Sequence, residues 1–357
     1  MDKNFLNKIL IKAQEVKASD IHITSDFPPF VRSQGDIIKL SGFDILNGSN
    51  ILDLALSIMD KYSQELFIKY LQADFSYYNQ ENQTRYRCNV YRTHKGISIV
   101  FRALNSSIPI LEESNYPEIF KKIASLDKGL VLICGPTGSG KSTTIATMID
   151  FINRNFKKHI ITIEDPIEYT YNTKLSLIDQ REVGRNVLSF SEGLKGALRE
   201  DPDVIMIGEM RDKETIKMAL TAAETGHLVL STLHTMSASK TIDRIIDSCE
   251  IDEKEIVKNM LSTSLQAIIL QSLFKNTTNT DRVAGYEILI GTSGIRNMIR
   301  ENKIYQIDSM IQTGSKFGMI TMQDYVNQLV SSGKITKEEA ESKLSKIDNP
   351  NNTINNQ

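Results

Sequence analysis

"GPTGSGKS", residues 135–142, is the stretch of sequence that decides the fold. It has the spacing G-x-x-x-x-G-K-S, and it stands between the apolar run "LVLIC" (130–134) and a stretch with helical periodicity. A strand, a glycine-rich loop and a helix in this order are typical of a phosphate-binding loop, because glycines let backbone N–H groups wrap the phosphates. In such a loop Lys141 reaches the β- and γ-phosphates, and Ser142 can ligate Mg²⁺. A plain glycine-rich turn would require neither this spacing nor this context.

The sequence therefore predicts a nucleotide site, with ATP and Mg²⁺ as the expected ligands. The predicted nucleotide-binding residues are Gly135, Pro136, Thr137, Gly138, Ser139, Gly140, Lys141, Ser142 and Thr143.

Further apolar runs follow the loop and alternate with amphipathic helical stretches. These runs are "HIITIE" (159–164), "DVIMIGE" (203–209) and "HLVLST" (227–232). Short apolar runs without polar alternation are typical of strands buried on both faces, as in a mostly parallel sheet. We therefore predict an α/β core over residues 116–290.

Carboxylates stand where two of these strands end. Glu164 and Asp165 close one strand, and Glu209 closes another. Ligands of open α/β sheets bind at the carboxyl ends of the strands. We predict that Glu164 polarises the attacking water and that Glu209 lies on the metal side with Ser142. The alternative is that both are ordinary exposed carboxylates at strand ends.

Two histidines flank the strand in "TGHLVLSTLHT". His234 follows the strand and would share the sheet edge with Glu164 and Glu209, so we predict that it senses the γ-phosphate through a hydrogen bond. His227 precedes the strand. For His227 a sensor role and a half-buried structural role both remain open.

Residues 1–104 alternate helical and strand patterns and predict a small α+β domain. The polar, proline-containing segment 105–115 is the predicted linker. In "RYRCNVYR" and "ISIVFRAL", Arg85, Arg87 and Arg102 alternate with apolar residues and should share one strand face. They form either a solvated face or arginine fingers that reach the nucleotide of a neighbouring subunit.

After residue 250 the pattern becomes helical. The predicted helices are 252–274, 293–300, 303–313, 321–332 and 336–346. We predict a helical C-terminal region over 291–346 and a disordered tail over 347–357, since the tail has nothing to bury.

The stretch "GIRNMIRENK" (294–303) places Arg296, Arg300 and Lys303 at helical spacing. On pattern alone this stripe is a solvated helix face. The alternative is a helix docked through Ile295, Met298 and Ile299 that presents Arg296 and Arg300 as an output surface.

Composition excludes some classes of function. The net charge is −2, from 42 basic and 44 acidic residues among 357, which argues against nucleic acid as the direct partner. No apolar run approaches the roughly 20 residues that span a bilayer. The three cysteines form no CxxC pair, so we expect reduced thiols in a cytoplasmic protein and no zinc site.

Several motifs together resemble the secretion superfamily of hexameric ATPases, and within it the branch of type IV pilus retraction motors. They are "ASDIHIT", "GPTGSGKSTT", "ITIEDPIEY", "QREVG", "ALREDPDVIMIGEMRDKETIKMALTAAETGHLVLSTLHT" and "IRNMIRENK". The resemblance runs from about residue 18 to residue 330 in order.

This resemblance implies a PAS-like N-terminal domain, a RecA-like ATPase core and a homohexameric ring at the inner face of the cytoplasmic membrane. It implies an inner-membrane pilus platform protein as partner, with a pilus assembly ATPase as a further candidate. It places the trans-acting arginines at Arg87 and Arg102 and the sensor pair at His227 and His234. "GIRNMIRENK" is similar to the retraction signature "AIRNLIRE", although Gly294 replaces its alanine and Ser293 stands where proline is common.

Two other functions stay open at this stage. One is a zinc-free motor for pilus assembly or DNA uptake, against which the absence of a four-cysteine module speaks. The other is a non-hydrolysing accessory subunit, against which the filled catalytic positions speak.

Overall fold

The computed structural model describes residues 3–33, 35–104 and 107–348, and it divides into two compact units. The first unit takes the chain up to Ser107 together with Pro166–Thr170, and the second takes Ile108–Asp165 and the chain from Tyr171 onward.

The first unit is an α+β fold with one antiparallel sheet of order β3-β2-β1-β6-β5-β4. Its elements are α1 (Lys3–Glu15), β1 (Asp20–Thr24), β2 (Phe30–Ser33), β3 (Asp36–Lys39), α2 (Gly48–Ile58), α3 (Lys61–Tyr70), β4 (Gln72–Asn79), β5 (Thr84–Thr93) and β6 (Gly96–Leu104). Helix α1 forms because Leu6, Ile9, Leu10 and Ala13 recur at helical spacing and are all buried.

The second unit is built on a sheet of order β13-β12-β7-β11-β10-β8-β9, in which only β13 is antiparallel to its neighbour. Its strands are β7 (Gly129–Cys134), β8 (His159–Glu164), β9 (Leu177–Glu182), β10 (Val204–Ile207), β11 (Leu228–Leu233), β12 (Leu265–Lys275) and β13 (Arg282–Ile290). Its helices are α4 (Ile119–Ala124), α5 (Lys141–Asn155), α6 (Phe190–Ala197), α7 (Lys213–Glu224), α8 (Ala238–Asp247), α9 (Lys254–Ser264), α10 (Ser293–Arg300), α11 (Ile307–Thr313), α12 (Met322–Ser331) and α13 (Lys337–Asp348), with short 3-10 helices at Ile304–Gln306 and Ser315–Phe317.

Strand β7 is buried along its whole length. Leu130, Leu132 and Cys134 belong to the core on one face of the sheet, and Val131 and Ile133 belong to the core on the other. The predicted α/β class, with strands covered on both faces, is therefore confirmed.

The parallel strands of the second unit begin at one edge of the sheet and end at the opposite edge. We call the edge where β7, β8, β10 and β11 end the carboxyl edge, and the edge where they begin the amino edge. The register pairs Val204 with Leu228 and Leu228 with Gly129, so the strands begin level with one another. The loops that follow the strands therefore meet at one place.

The predicted helix 252–274 is wrong in its second half. Helix α9 ends at Ser264, and residues 265–275 form β12, between β7 and β13. Most of β12 is buried, and a continuous apolar run fits a buried strand as well as a helix. Strands β2, β4, β9 and β13 were likewise not predicted from the sequence.

The predicted linker, 105–115, and the predicted tail, 347–357, can each be compared with the structure. Most of the predicted linker lies with the second unit, because Leu111 is buried in its core and Glu112 pairs with Arg154 on α5. Helix α13 runs to Asp348, and the remainder of the predicted tail lies outside the described residues.

Across residues 3–33, 35–104 and 107–348, no helix combines the length and apolarity that crossing a membrane requires.

Candidate active site

The phosphate-binding loop leaves β7 at the carboxyl edge and leads directly into α5. Gly135, Gly138 and Gly140 have φ values of 138°, 78° and 87°, a region that side chains with a Cβ rarely adopt. Gly140 is the N-cap of α5, and no side chain caps that end. The first N–H groups of the helix are thus directed toward the loop, which is the arrangement that binds phosphate.

Lys141 is folded back onto this loop. Its Nζ donates to the carbonyl oxygens of Gly135 at 2.8 Å and Pro136 at 3.0 Å, and the residue is only 8% exposed. Ser139 Oγ is buried, and it has no hydrogen-bond partner among the residues that the structure describes. Burying a polar group without a partner costs free energy, so Ser139 Oγ is poised to gain a polar ligand, whereas Lys141 Nζ would exchange its carbonyl acceptors for one.

Glu164 ends β8 and is 6% exposed. One of its oxygens, Oε1, accepts hydrogen bonds from Thr162 Oγ1 at 2.8 Å and from Gln180 Nε2 at 3.1 Å. These bonds hold the carboxylate in one orientation at the carboxyl edge. Asp165, the next residue, is exposed.

Glu209 and His234 meet at the same edge. Arg211 Nε donates to Glu209 Oε2 at 2.8 Å, and His234 Nε2 lies 3.6 Å from Glu209 Oε1. On its other side, His234 Nδ1 lies 3.5 Å from both Lys141 Nζ and Thr137 Oγ1. His234 therefore connects the phosphate-binding loop to the carboxylate that follows β10.

Partial burial and the positive charge of Lys141 lower the pKa of His234 below its ordinary value. The imidazole is therefore mainly neutral at pH 7, with one ring nitrogen that donates and one that accepts. A neutral ring suits a hydrogen-bonding sensor better than a fixed charge would.

His227 lies at the opposite, amino edge. Its Nδ1 is 2.9 Å from the carbonyl oxygen of Ala222, and its own carbonyl accepts from the N–H of Gly129 at 2.9 Å. The structure thus separates the two histidines that were grouped as a sensor pair and gives His227 a structural setting within the second unit.

The predicted trans-acting arginines lie in the first unit. Arg87 on β5 pairs across the sheet with Arg102 on β6, and both are exposed on one face, as the alternation predicted. Arg102 Nε also donates to Asp20 Oδ1 at 2.7 Å. Their role at a neighbour's nucleotide stays a prediction.

Helix α10 docks as predicted through Ile295 and Ile299, which are fully buried. Its two arginines differ, however. Arg296 Nε donates to Gly291 O at 2.8 Å and Nη2 donates to Leu265 O at 3.2 Å, so this side chain ties α10 to the amino edge.

Arg300 is exposed, which leaves it accessible for an output role. Lys303 does not extend the stripe, because α10 ends at Arg300. Lys303 lies beyond the turn and pairs with Glu301.

Sequence reasoning missed two groups of residues that support the site. Thr162 and Gln180 orient Glu164, and Gln271 on β12 accepts a hydrogen bond from Thr144 Oγ1 on α5 at 2.6 Å. The one available signal was a glutamine inside the apolar run "AIILQSLF".

Comparison with known proteins gives consistent results. A family model described as type II/IV secretion system protein matches residues 73–342. The "type IV pilus retractation ATPase PilT" of Pseudomonas aeruginosa is 46% identical over 338 residues, which is 95% of this chain and 97% of that protein. A "twitching motility protein" of Neisseria gonorrhoeae is 48% identical over 312 residues, 87% of this chain and 83% of that protein.

A solved structure, "Crystal Structure of the Pilus Retraction Motor PilT and Bound ADP", superposes with a TM-score of 0.87 at 44% identity. It covers 94% of this chain and 95% of the other. The family model covers most of the sequence, including the whole carboxyl edge. The chain therefore belongs to the type II/IV secretion system protein family.

Proposed function

We propose that this chain hydrolyses ATP and uses the energy to drive type IV pilus retraction. The observation that carries the proposal is the assembly of Lys141, Glu209 and His234 around one phosphate-binding loop, with Glu164 ending a neighbouring strand at the same edge. The proposal is also supported by the similarity, over nearly the full chain, to relatives whose names state pilus retraction or twitching motility.

ATP binding falls to the loop and the start of α5. The backbone N–H groups of residues 135–143 would surround the phosphates, and Lys141 Nζ would leave its two carbonyl acceptors for phosphate oxygens. Ser139 Oγ, buried without a partner, would gain an acceptor in the bound state.

Mg²⁺ fits the donors present. Ser142 and Glu209 offer a hydroxyl and a carboxylate, the oxygen ligands that this ion prefers. Over the described part of the chain, no cluster of three or more His, Cys, Asp or Glu could hold a metal by itself. That suits an ion that binds through one or two protein groups together with substrate phosphates. When bound, Mg²⁺ neutralises charge on the phosphates.

Hydrolysis requires an oriented water, and Glu164 is the residue that fits this role. Thr162 and Gln180 orient its carboxylate through Oε1 at the carboxyl edge, where the carboxylate would accept the proton of the attacking water. His234 would report the γ-phosphate to Glu209 by a hydrogen bond. Arg87 and Arg102 of another subunit would stabilise the charge that develops on the transferred phosphoryl group.

The working assembly would be a homohexamer at the inner face of the cytoplasmic membrane, acting on an inner-membrane pilus platform protein. A pilus assembly ATPase is a further candidate partner. Arg300, exposed at the end of α10, is the better candidate of the two α10 arginines for contact with the platform protein.

A deletion strain tests the direction of work. We expect excess pili that do not retract and loss of twitching, both restored by the wild-type gene and not by Glu164→Gln. Loss of pili altogether would instead indicate an assembly motor. Purified protein that releases no phosphate from ATP under any condition, in a strain whose retraction still needs it, would indicate an accessory subunit.

A further inference from the structure

Gln271 lies beneath the phosphate-binding loop, in a strand that the sequence did not predict. Strand β12 runs beside β7 with Leu270 opposite Cys134, which brings Gln271 level with Gly135, the first residue of the loop. Gln271 is 3% exposed. Burying an amide side chain costs free energy unless it is hydrogen-bonded, so its presence in an apolar strand calls for a reason.

The contacts of Gln271 reach both ends of the loop. A Cβ added to Gly135 would collide with the backbone carbonyl oxygen of Gln271, so only glycine allows this approach. A Cβ added to Gly140 would come 2.9 Å from Gln271 Nε2. One residue thus lies against the first and the last glycine of the loop.

The same side chain holds the helix that follows. Thr144 Oγ1, in the first turn of α5, donates to Gln271 Oε1 at 2.6 Å in a fully buried setting. The start of α5 is therefore fixed to β12 by a hydrogen bond between polar side chains.

We propose that Gln271 is a positioning residue for nucleotide binding, whose side chain sets the shape of the loop through Thr144 and Gly140, whereas its contact with Gly135 belongs to the backbone. The inference rests on the proposed use of this loop for ATP. Without the amide, the loop and the first turn of α5 would relax relative to β12. The N–H groups that receive the phosphates would then be less well placed, which weakens binding more than it slows the chemical step.

The test is a double-mutant cycle of Gln271→Leu and Thr144→Val. Each single change removes one hydrogen bond, so we expect KM for ATP and the Kd for a fluorescent ADP analogue to rise by roughly three- to tenfold, with kcat within about twofold. Because both changes remove the same bond, the double variant should be no worse than the more affected single variant.

Thr147→Val is the matched control. Thr147 is a buried threonine one turn further along α5, and among the described residues its hydroxyl is hydrogen-bonded to Thr143 O and Tyr116 and not to Gln271. We expect it to leave KM unchanged. Gln271→Glu gives a second readout, since it keeps the acceptor for Thr144 and adds negative charge under the loop, and we expect it to weaken ADP binding more than Gln271→Leu does.

Wild-type KM in the Gln271 variants, additive effects in the cycle, or equal losses in Thr147→Val would each overturn the proposal. If Gln271→Leu does not fold, Thr144→Val and Gln271→Glu decide it alone. Failure of the proposed function is distinguishable. If the loop does not bind ATP, the wild type and Lys141→Ala should show the same ATP binding. If Lys141→Ala loses binding and the Gln271 variants do not, only the positioning role fails.

Discussion

The two edges of the large sheet are built from the same strands and differ in how their polar groups are satisfied. At the amino edge, Arg296 donates to two backbone carbonyl oxygens, and His159 lies 3.0 Å from an Asp179 carboxylate oxygen. At the carboxyl edge, Ser139 Oγ is buried without a partner and His234 stands 3.6 Å from Glu209. At the amino edge the polar groups are paired with one another, which stabilises the fold. At the carboxyl edge, where a ligand must enter, the polar groups are incompletely satisfied.

The largest effect should come from Glu164→Gln at the carboxyl edge. It removes the proton acceptor and keeps the shape, so phosphate release should fall roughly a hundredfold or more. Glu224→Gln makes the same change at the amino edge, where Glu224 accepts a hydrogen bond from Thr263. Steady-state phosphate release compares them, and similar losses in both variants would break the comparison.

The two histidines give the next largest contrast. His234→Asn should lower phosphate release by about tenfold, since it removes the link between loop and carboxylate. Because the pKa of His234 is lowered, the loss of wild-type rate that accompanies protonation of this ring should be centred below the ordinary pKa of histidine. His227→Asn should change the rate by less than about twofold. A stronger effect of His227→Asn would place that residue in the working site of the assembly.

A smaller effect, on stability, should come from Arg296→Ala. It leaves the carbonyls of Gly291 and Leu265 without their charged donor, which should cost about 2 kcal/mol of the free energy of unfolding. Arg300→Ala, on the exposed side of the same helix, should cost less than about 0.5 kcal/mol. Thermal and urea denaturation measure both, and equal shifts would show that Arg296 does not tie α10 to the sheet.

The same two variants separate stability from output. If Arg300 contacts the platform protein, Arg300→Ala should retain ATP hydrolysis and lose twitching. Normal twitching in Arg300→Ala would assign the exposed cation to an ordinary solvated surface.

The smallest effect concerns Glu112, which joins the start of the second unit to the far end of α5. The Arg154 guanidinium lowers the pKa of Glu112 to about 2, below its unfolded value. A depressed pKa means that the stabilisation is present above the unfolded pKa and is lost as pH falls toward about 2.

Glu112→Gln should therefore cost about 1 kcal/mol at pH 7, after allowance for solvent screening, and less at pH 3, which lies between the unfolded and folded pKa values. Urea midpoints of wild type and variant at pH 7 and pH 3 measure the difference. A difference that does not shrink at low pH would show that the ion pair is not its source.

Features that are set by residues close together in the chain could be predicted from the sequence, and features that depend on tertiary contacts could not. The loop at 135–142 is specified by neighbouring residues, and so were β7, α5 and the strand-end positions of Glu164 and Glu209. Strand β12 could not be recognised, since a buried apolar run has no periodicity that separates strand from helix.

The contacts that refine the site are non-local. Gln271 and Thr144 are 127 residues apart in the chain, and their hydrogen bond exists only because β12 lies beside β7. Likewise, helical spacing showed that Arg296 and Arg300 share a stripe, but only the tertiary packing turns one inward to Leu265 and leaves the other outside.

The folded-back Lys141 makes nucleotide binding an exchange reaction. Its ammonium group already has two carbonyl acceptors, so every phosphate contact it gains is offset by the bonds it gives up. The affinity for nucleotide then reflects the difference in free energy between two states, one with Lys141 bonded to the loop carbonyls and one with Lys141 bonded to phosphate. We expect such a site to release its product readily, because the lysine can return to the loop as the nucleotide departs. A motor that must cycle benefits from this reversibility more than from tight binding.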